Sequence, residues 1–239
     1  MADEKKKLGY WVAFEGSDGS GKTTLAKAVH EAMVARGRSV TAIAQPSQGP
    51  IGQLLRTILR RDVKWERAFT GEVSALPHWQ TMSLLFAADR KDQYEREILP
   101  KLERHRYVLS DRGPLSNLIY QTVKAVDGID VNNLPELTRC YQNALNWLQQ
   151  VEGSVGRPDL TFVLLLSPEL AAERRAQRGE GVAAYDDTAM QRRIAALYAQ
   201  GSKLTFALTM DSLMEMDATQ SVSDLVDECI AKMDDVFDV

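Results

Sequence analysis

A chain of 239 residues, 44% hydrophobic and 26% charged, carries enough apolar content for one sizeable α/β core, which argues against a disordered or fibrous protein. Its formal net charge of −4 argues against a nucleic-acid-coating protein. Only two cysteines, Cys140 and Cys229, are present and outside any C-x-x-C, so neither a disulfide framework nor a zinc site is expected, and no apolar run reaches membrane-spanning length.

Lys5-Lys6-Lys7 precedes a strand rather than an apolar leader segment, so it reads as a solvated tail in a reducing, cytoplasm-like compartment. Residues 10–15 form the first predicted strand and 22–36 the first helix, stopping near Gly37. A second strand is expected over 39–44, a short helix over 52–60, and a polar stretch over 61–74. Residues 77–104 carry a long helical pattern that Pro100 should break or kink. The third strand, 107–110, runs straight into Asp111-Arg112. Helices follow over 115–126 and 135–151, separated by a turn-rich insertion at 127–133. The fourth strand, 160–166, is apolar throughout, as a strand buried on both faces should be. Pro168 opens a helix to about 177, and 178–187 reads as a mobile loop or short lid. A helix over 189–203, a last strand over 213–217 and a closing helix over 222–237 complete the chain. The alternation predicts a single domain: a three-layer α/β/α fold on a five-stranded parallel sheet, with sites at strand C-termini.

The most informative segment lies between the first strand and the first helix. Residues 16–23 fit G-x-x-x-x-G-K-[ST], the phosphate-cradling P-loop. In a strand–loop–helix setting the backbone N–H groups converge on phosphate oxygens at a helix N-terminus. A triphosphate site is therefore expected from Gly16, Ser17, Asp18, Gly19, Ser20, Gly21, Lys22, Thr23 and Thr24, with Lys22 reaching the outer phosphates and Thr23 holding Mg²⁺. Other residues narrow the class. No Asn-Lys pair is present to read guanine, and the third strand ends in Asp111-Arg112 rather than Asp-Glu. Asp111 can hold Mg²⁺, and Arg112 can clamp a second phosphate, as an enzyme moving a phosphoryl group between two nucleotides requires.

Phe14 to Thr24, the segment Leu84-Leu85-Phe86-Ala87-Ala88-Asp89-Arg90, and Ser110-Asp111-Arg112 with Ser116-Asn117 and Tyr120-Gln121 together resemble the thymidylate kinase family. Pro158-Asp159-Leu160, Ser167-Pro168-Glu169 and Met216 to Ser221 are also similar, so the resemblance covers nearly the whole chain in order. Phe86 and Arg90, four apart on a helix, share a face that could stack a flat base and bond its edge. Asn117, Tyr120 and Gln121 share another. Pattern alone leaves Phe86 open as a core aromatic beside Trp79, Met82 and Leu85, and the polar groups open as a solvated face. The resemblance implies that Phe86, Arg90, Arg112, Asn117, Tyr120, Gln121 and a lid aromatic, Tyr185, receive a deoxynucleoside monophosphate, with Tyr120 disfavouring a 2′-hydroxyl. It implies ATP with Mg²⁺ as donor and a homodimer, and it places an acid at Asp18. The catalytic set is then Lys22, Arg112, Asp18 and a lid cation: Arg174 or Arg178 could act as an arginine finger, with Arg178 taken here. The 217–220 loop would lie near adenine.

Three departures bear on the acceptor. Ala44-Gln45-Pro46-Ser47-Gln48 stands where the family has R-E-P-G-G, Gly113 stands where a Tyr is usual, and Gly181-Val182-Ala183-Ala184 replaces D-R-x-E. A kinase for dTMP is the first expectation. A kinase for another or modified deoxynucleotide, a nucleoside kinase using Glu15 as base, and a non-catalytic nucleotide-binding regulator stay open.

Overall fold

The computed structural model describes residues 8–63, 65–66, 73–74, 76–130, 132–177, 185, 187–200 and 212–238. In chain order the elements are β1 (Tyr10–Gly16), α1 (Lys22–Ala35), β2 (Val40–Ala44), α2 (Pro50–Leu59), β3 (Trp65–Glu66), β4 (Val73–Ser74) and α3 (Trp79–Gln93). A π-helical turn (Tyr94–Ile98) leads into α4 (Leu99–Leu102), β5 (Tyr107–Asp111), α5 (Pro114–Ala125) and α6 (Leu134–Glu152). The rest are β6 (Leu160–Leu165), α7 (Pro168–Gln177), α8 (Thr188–Tyr198), β7 (Leu213–Asp217) and α9 (Val222–Phe237).

The main sheet has the order β2-β5-β1-β6-β7, and all four of its pairings are parallel. Side chains alternate across β1. Val12 and Phe14 enter a core with Leu25, Val29 and Met33 of α1 and Leu225, Cys229, Ile230 and Met233 of α9. On the opposite face Trp11 and Val108 pack on Ile98 and Leu102, while Val163 meets Leu118, Ile119, Ile194 and Tyr198. Burying one such aliphatic or aromatic side chain contributes roughly 1.5–3 kcal/mol, so both helical layers are held to the sheet by many equivalent increments. The expected three-layer α/β/α arrangement is what forms.

The differences have local causes. α2 starts two residues before the expected Gly52, because Pro50 occupies the first turn with Gly49 ahead of it. The long pattern over 77–104 is interrupted rather than broken: the π-helical turn ends at Ile98, two residues before Pro100. That wider turn relieves the clash a proline ring makes with the carbonyl four residues back. The polar stretch over 61–74 holds a two-stranded antiparallel ribbon, Trp65–Glu66 with Val73–Ser74. Residues 201–203, expected to extend α8, lie outside the described residues.

The strand order places β1 centrally, with β5 and β2 on one side of it and β6 and β7 on the other, so the order of strand addition reverses there. Ligands in such sheets lie outside the strand C-termini at this switch. There Gly16, Gln45, Asp111 and Leu165 end four adjacent strands or follow directly from them.

Candidate active site

At the end of β1 the chain turns through 16–21 and enters α1 at Lys22. The first-turn N–H groups of α1 receive no side-chain cap and the turn carries no acid, which leaves donors and positive helix potential facing the loop. The Lys22 ammonium is buried and lies 3.3 Å from both the Ser17 carbonyl and Asp18 Oδ1. Burial, then the nearby Arg112 charge, lower its pKa from the usual lysine value, with Asp18 and Asp111 opposing. The Ser20 hydroxyl is buried with no hydrogen-bond partner among the described residues. Thr23 and Thr24 are exposed on the first turn.

Asp111 ends β5 beside this turn, and its Oδ2 accepts from the Thr23 hydroxyl at 2.6 Å. Asp111 Oδ1 is buried without a partner among the described residues. A hydroxyl and a carboxylate with one open oxygen form a hard-oxygen donor set of the kind that takes Mg²⁺ together with phosphate oxygens and water. The residues present therefore fit the cation. The next residue, Arg112, has φ of 76°, a left-handed conformation unusual for a side-chain-bearing residue. This backbone turns its guanidinium back over the P-loop. It pairs with Asp18, donates to Ser116 Oγ at 2.9 Å and lies 5.3 Å from the Tyr120 ring centre. Burial acts to raise the Asp18 pKa, but Arg112 and Lys22 overcome it and hold the carboxyl well below the usual range.

Beyond Arg112 lies a cavity of about 150 Å³. Asp18, Phe86, Arg90, Arg112, Asn117, Tyr120, Gln121 and Tyr185 line it together. Every residue that the sequence suggests for the acceptor thus borders one space. Phe86 is half-buried against the Leu55, Ile58 and Met82 cluster while also lining the cavity, so both readings of that aromatic hold. Tyr185 stands edge-on to Tyr120, 5.2 Å between ring centres, and its hydroxyl accepts from Gln121 Nε2 at 3.3 Å. Burial pushes the Tyr185 phenol up to about 12. Tyr120 is buried too, and its pKa lies above the ordinary phenol value for the same reason.

Arg90 lines the cavity with three of its donors engaged by the protein: Nε donates to Gln45 Oε1 at 3.0 Å, Nη1 to Glu152 Oε2 at 2.5 Å and Nη2 to the Gly113 carbonyl at 3.2 Å. Glu152 Oε1 also accepts from Asn117 Nδ2 at 2.6 Å. Sequence reasoning missed Glu152, although a signal existed. The buried stripe of α6 is Ala144, Leu148 and Glu152, spaced by four, so an acid occupies an apolar position. It also missed Gln45, Ser116 and Leu59 as cavity residues. The atypical 44–48 stretch is firmly held. Asp89 accepts from the Ser47 backbone N–H at 2.7 Å and from its hydroxyl at 2.5 Å, and Arg56 donates to the Pro46 and Ser47 carbonyls.

Two further expectations meet structure. Glu15 is fully buried and does not line the cavity. Its carboxylate accepts from Gly113 N at 2.8 Å, Ser116 N at 3.0 Å, the Ser116 hydroxyl and the Tyr198 hydroxyl at 3.1 Å. Burial raises its pKa, against those bonds and the Arg112 charge. That arrangement orients the start of α5 and keeps the carboxylate out of the cavity lining. Arg174 donates to the Ser20 carbonyl at 3.4 Å and the Ala218 carbonyl at 3.0 Å, and Arg175 to the Asp18 carbonyl at 2.7 Å. Arg174 therefore ties the P-loop to the loop after β7. Arg178, and the lid over 178–187 apart from Tyr185 and Asp187, lie outside the described residues.

The chain is similar to known proteins over most of its length. The family model described as thymidylate kinase matches residues 14–229. A protein of Pyrococcus horikoshii named probable thymidylate kinase is 30% identical over 223 residues, covering 93% of this chain and 95% of the relative. A thymidylate kinase of Leptospira interrogans is 30% identical over 226 residues, covering 95% and 94%. A probable thymidylate kinase of Pyrobaculum aerophilum is 32% identical over 188 residues, covering 79% and 80%.

Proposed function

The chain belongs to the thymidylate kinase family, and from that premise we infer that it moves the γ-phosphoryl group of ATP onto dTMP, giving dTDP. The observation that carries the reading is the cavity itself. An intact P-loop abuts a space lined by Phe86, Arg112, Asn117 and Tyr120, with Arg112 at the junction.

In this reading the backbone of 16–21 with Ser20, Lys22 and Thr24 holds the donor triphosphate. Arg112 grips the acceptor phosphate, released from Asp18 as that phosphate competes for it. Phe86 stacks the base, and Tyr120 with Tyr185 encloses the sugar side. Thr23 and Asp111 would hold Mg²⁺, which supplies neutralisation of the charge that spreads over the transferring group when bound. The acceptor phosphate is already anionic, so no general base is required and catalysis reduces to positioning and charge neutralisation. Lys22 and Arg112 act from buried or half-buried positions, where a fixed charge counts for more than in water. Arg178 supplies the remaining cation from the lid at 178–187. The chain works as one domain, as a homodimer in the cytoplasm; two free cysteines support that compartment. No helix among the described residues is long and apolar enough to cross a membrane.

The test is ADP release from ATP–Mg²⁺ with dTMP, dUMP, dCMP, dAMP, dGMP and thymidine offered separately. Turnover is expected fastest on dTMP. Turnover on thymidine alone, or on none of the six with ATP still bound, would overturn the assignment.

A further inference from the structure

Arg112 has to keep an unfavourable backbone and aim a guanidinium at the same time. Its φ of 76° is one that a side-chain-bearing residue keeps only where its surroundings over-determine it. Nη2 pairs with Asp18, the Tyr120 ring centre lies 5.3 Å away, and Nη1 donates to Ser116 Oγ at 2.9 Å. The acceptor phosphate competes with Asp18 for this guanidinium. In the loaded site the Ser116 hydroxyl is then the polar brace that remains among the described residues. What orients that hydroxyl follows from where the protons go. An arginine only donates, so Ser116 Oγ turns a lone pair to Arg112 and gives its own proton to Glu15 Oε2. Glu15 Oε1 accepts from the backbone N–H groups of Gly113 and Ser116, at 2.8 and 3.0 Å, which pins the peptide immediately after Arg112. Glu15 thus holds both the strained backbone of Arg112 and the hydroxyl that braces its side chain.

The remaining donor to Glu15 among the described residues comes from another element. Tyr198, at the end of α8, places its hydroxyl 3.1 Å from Glu15 Oε2 and 3.1 Å from Ser116 Oγ. Packing does not account for this oxygen. The ring fills a core with Leu118, Ile119, Val163 and Ile194, where a phenyl ring would bury as much apolar surface, yet the hydroxyl is enclosed and aimed at a carboxylate. Tyr198 does not border the acceptor cavity. Two turns earlier on the same face of α8, Gln191 Nε2 donates to the Tyr185 carbonyl at 2.7 Å. One helix therefore supports two walls of the cavity: the Tyr185 ring directly, and the Arg112 guanidinium through Glu15 and Ser116.

We propose that Tyr198 is a positioning residue for Arg112: its hydroxyl holds the Glu15 carboxylate against Ser116, and the Ser116 hydroxyl so held keeps the guanidinium where the acceptor phosphate arrives. This rests on the reading that Arg112 grips that phosphate. It gives the α8 hydroxyl a role toward the charged end of the nucleotide and none toward its base or sugar.

Tyr198→Phe keeps the ring and removes the oxygen. Binding of dTMP, and of thymidine, which lacks the phosphate, is measured by calorimetry on wild type and variant. Steady-state turnover is measured alongside, and a melting curve confirms folding. In the variant dTMP is expected to bind about fivefold more weakly, the scale of one ordinary hydrogen bond, while thymidine binds as it does to wild type. KM for dTMP should rise and KM for ATP should not. A merely structural role would weaken both ligands together or neither. Ser116→Ala removes the brace directly and is expected to give the same phosphate-selective loss, even where Tyr198→Phe fails to fold. In Tyr198→Phe/Ser116→Ala the loss for dTMP should stay close to that of Ser116→Ala alone, because Tyr198 acts through Ser116. Equal losses for dTMP and thymidine, unchanged dTMP binding in either folded single variant, or losses that multiply in the double variant would overturn the proposal. So would a wild type that holds dTMP no more tightly than thymidine. Failure of the kinase reading looks different: dTMP would bind more tightly than thymidine and respond to both variants without being phosphorylated.

Discussion

Two glycines with left-handed backbones separate the effect of strain from that of contact. Gly19, in the P-loop, has φ of +89°, and a Cβ built there would lie 2.4 Å from the Ala171 carbonyl oxygen and 3.0 Å from its carbon. Gly37, just past α1, has φ of +72° and nothing within 4 Å of such a Cβ. Gly37→Ala should therefore lose only the conformational preference, about 1 kcal/mol, or roughly 2–4 °C in melting temperature for a chain of this size. Gly19→Ala carries the same strain plus overpacking against a helix backbone that cannot rotate aside, about 1–3 kcal/mol more. Its melting temperature should fall by roughly 4–16 °C in total. The clash pushes on α7, the helix carrying Arg174 and Arg175, whose bonds to Ser20 and Asp18 brace the loop. ATP affinity should accordingly drop by about tenfold in Gly19→Ala, a distortion of about 1.4 kcal/mol, and stay unchanged in Gly37→Ala. Scanning calorimetry and ATP titration read both quantities. The reasoning fails if Gly19→Ala melts with Gly37→Ala and binds ATP like wild type.

Arg90→Met leaves the Glu152 charge buried and unpaired, which should cost about 3–5 kcal/mol. The double variant Arg90→Met/Glu152→Leu should recover most of it in urea titrations, and no recovery would contradict the desolvation argument. Asp18→Asn tests the linkage of charge to pH. The folded-state pKa of Asp18 is depressed, so its stabilising contribution is present above the unfolded value of about 3.8 and is lost as pH falls below it. The stability gap between wild type and Asp18→Asn should thus be full at pH 7, begin to narrow only below about pH 4 and remain largely open at pH 3, closing only at still lower pH as the folded carboxyl takes up its proton; a gap that shows no narrowing at all, or one already closed at pH 3, would mean that Arg112 and Lys22 do not hold the carboxylate. Lys22→Ala should slow phosphoryl transfer by about 30-fold or more, from at least ~2 kcal/mol of lost transition-state stabilisation at a buried charge. Wild-type turnover in that variant would refute its role at the phosphates.

Much of this protein is legible in the chain because it rests on short-range regularity. The P-loop is contiguous, and its flanking strand and helix follow from apolar periodicity of two and 3.6. Phe86 with Arg90, and Asn117 with Tyr120 and Gln121, share faces because helical geometry places i, i+3 and i+4 together. Even the pairing of Thr23 with Asp111, 88 residues apart, is expected once the first turn of the helix after β1 and the end of β5 are placed at the same edge of the sheet. Whether these faces meet in one cavity depended on the sheet order, and so did what stands behind them. The joining of Arg90 to Glu152, 62 residues away, and to Gln45, 45 residues away, follows no periodicity. It arises where the end of α6, the turn after β2 and the buried face of α3 converge. There a donor-only and an acceptor-only group lose water together, and each must find its partner within reach. The sequence alone determined that this chain is built to bind phosphates. Only the tertiary structure decided which of its polar atoms were left unpaired beside them.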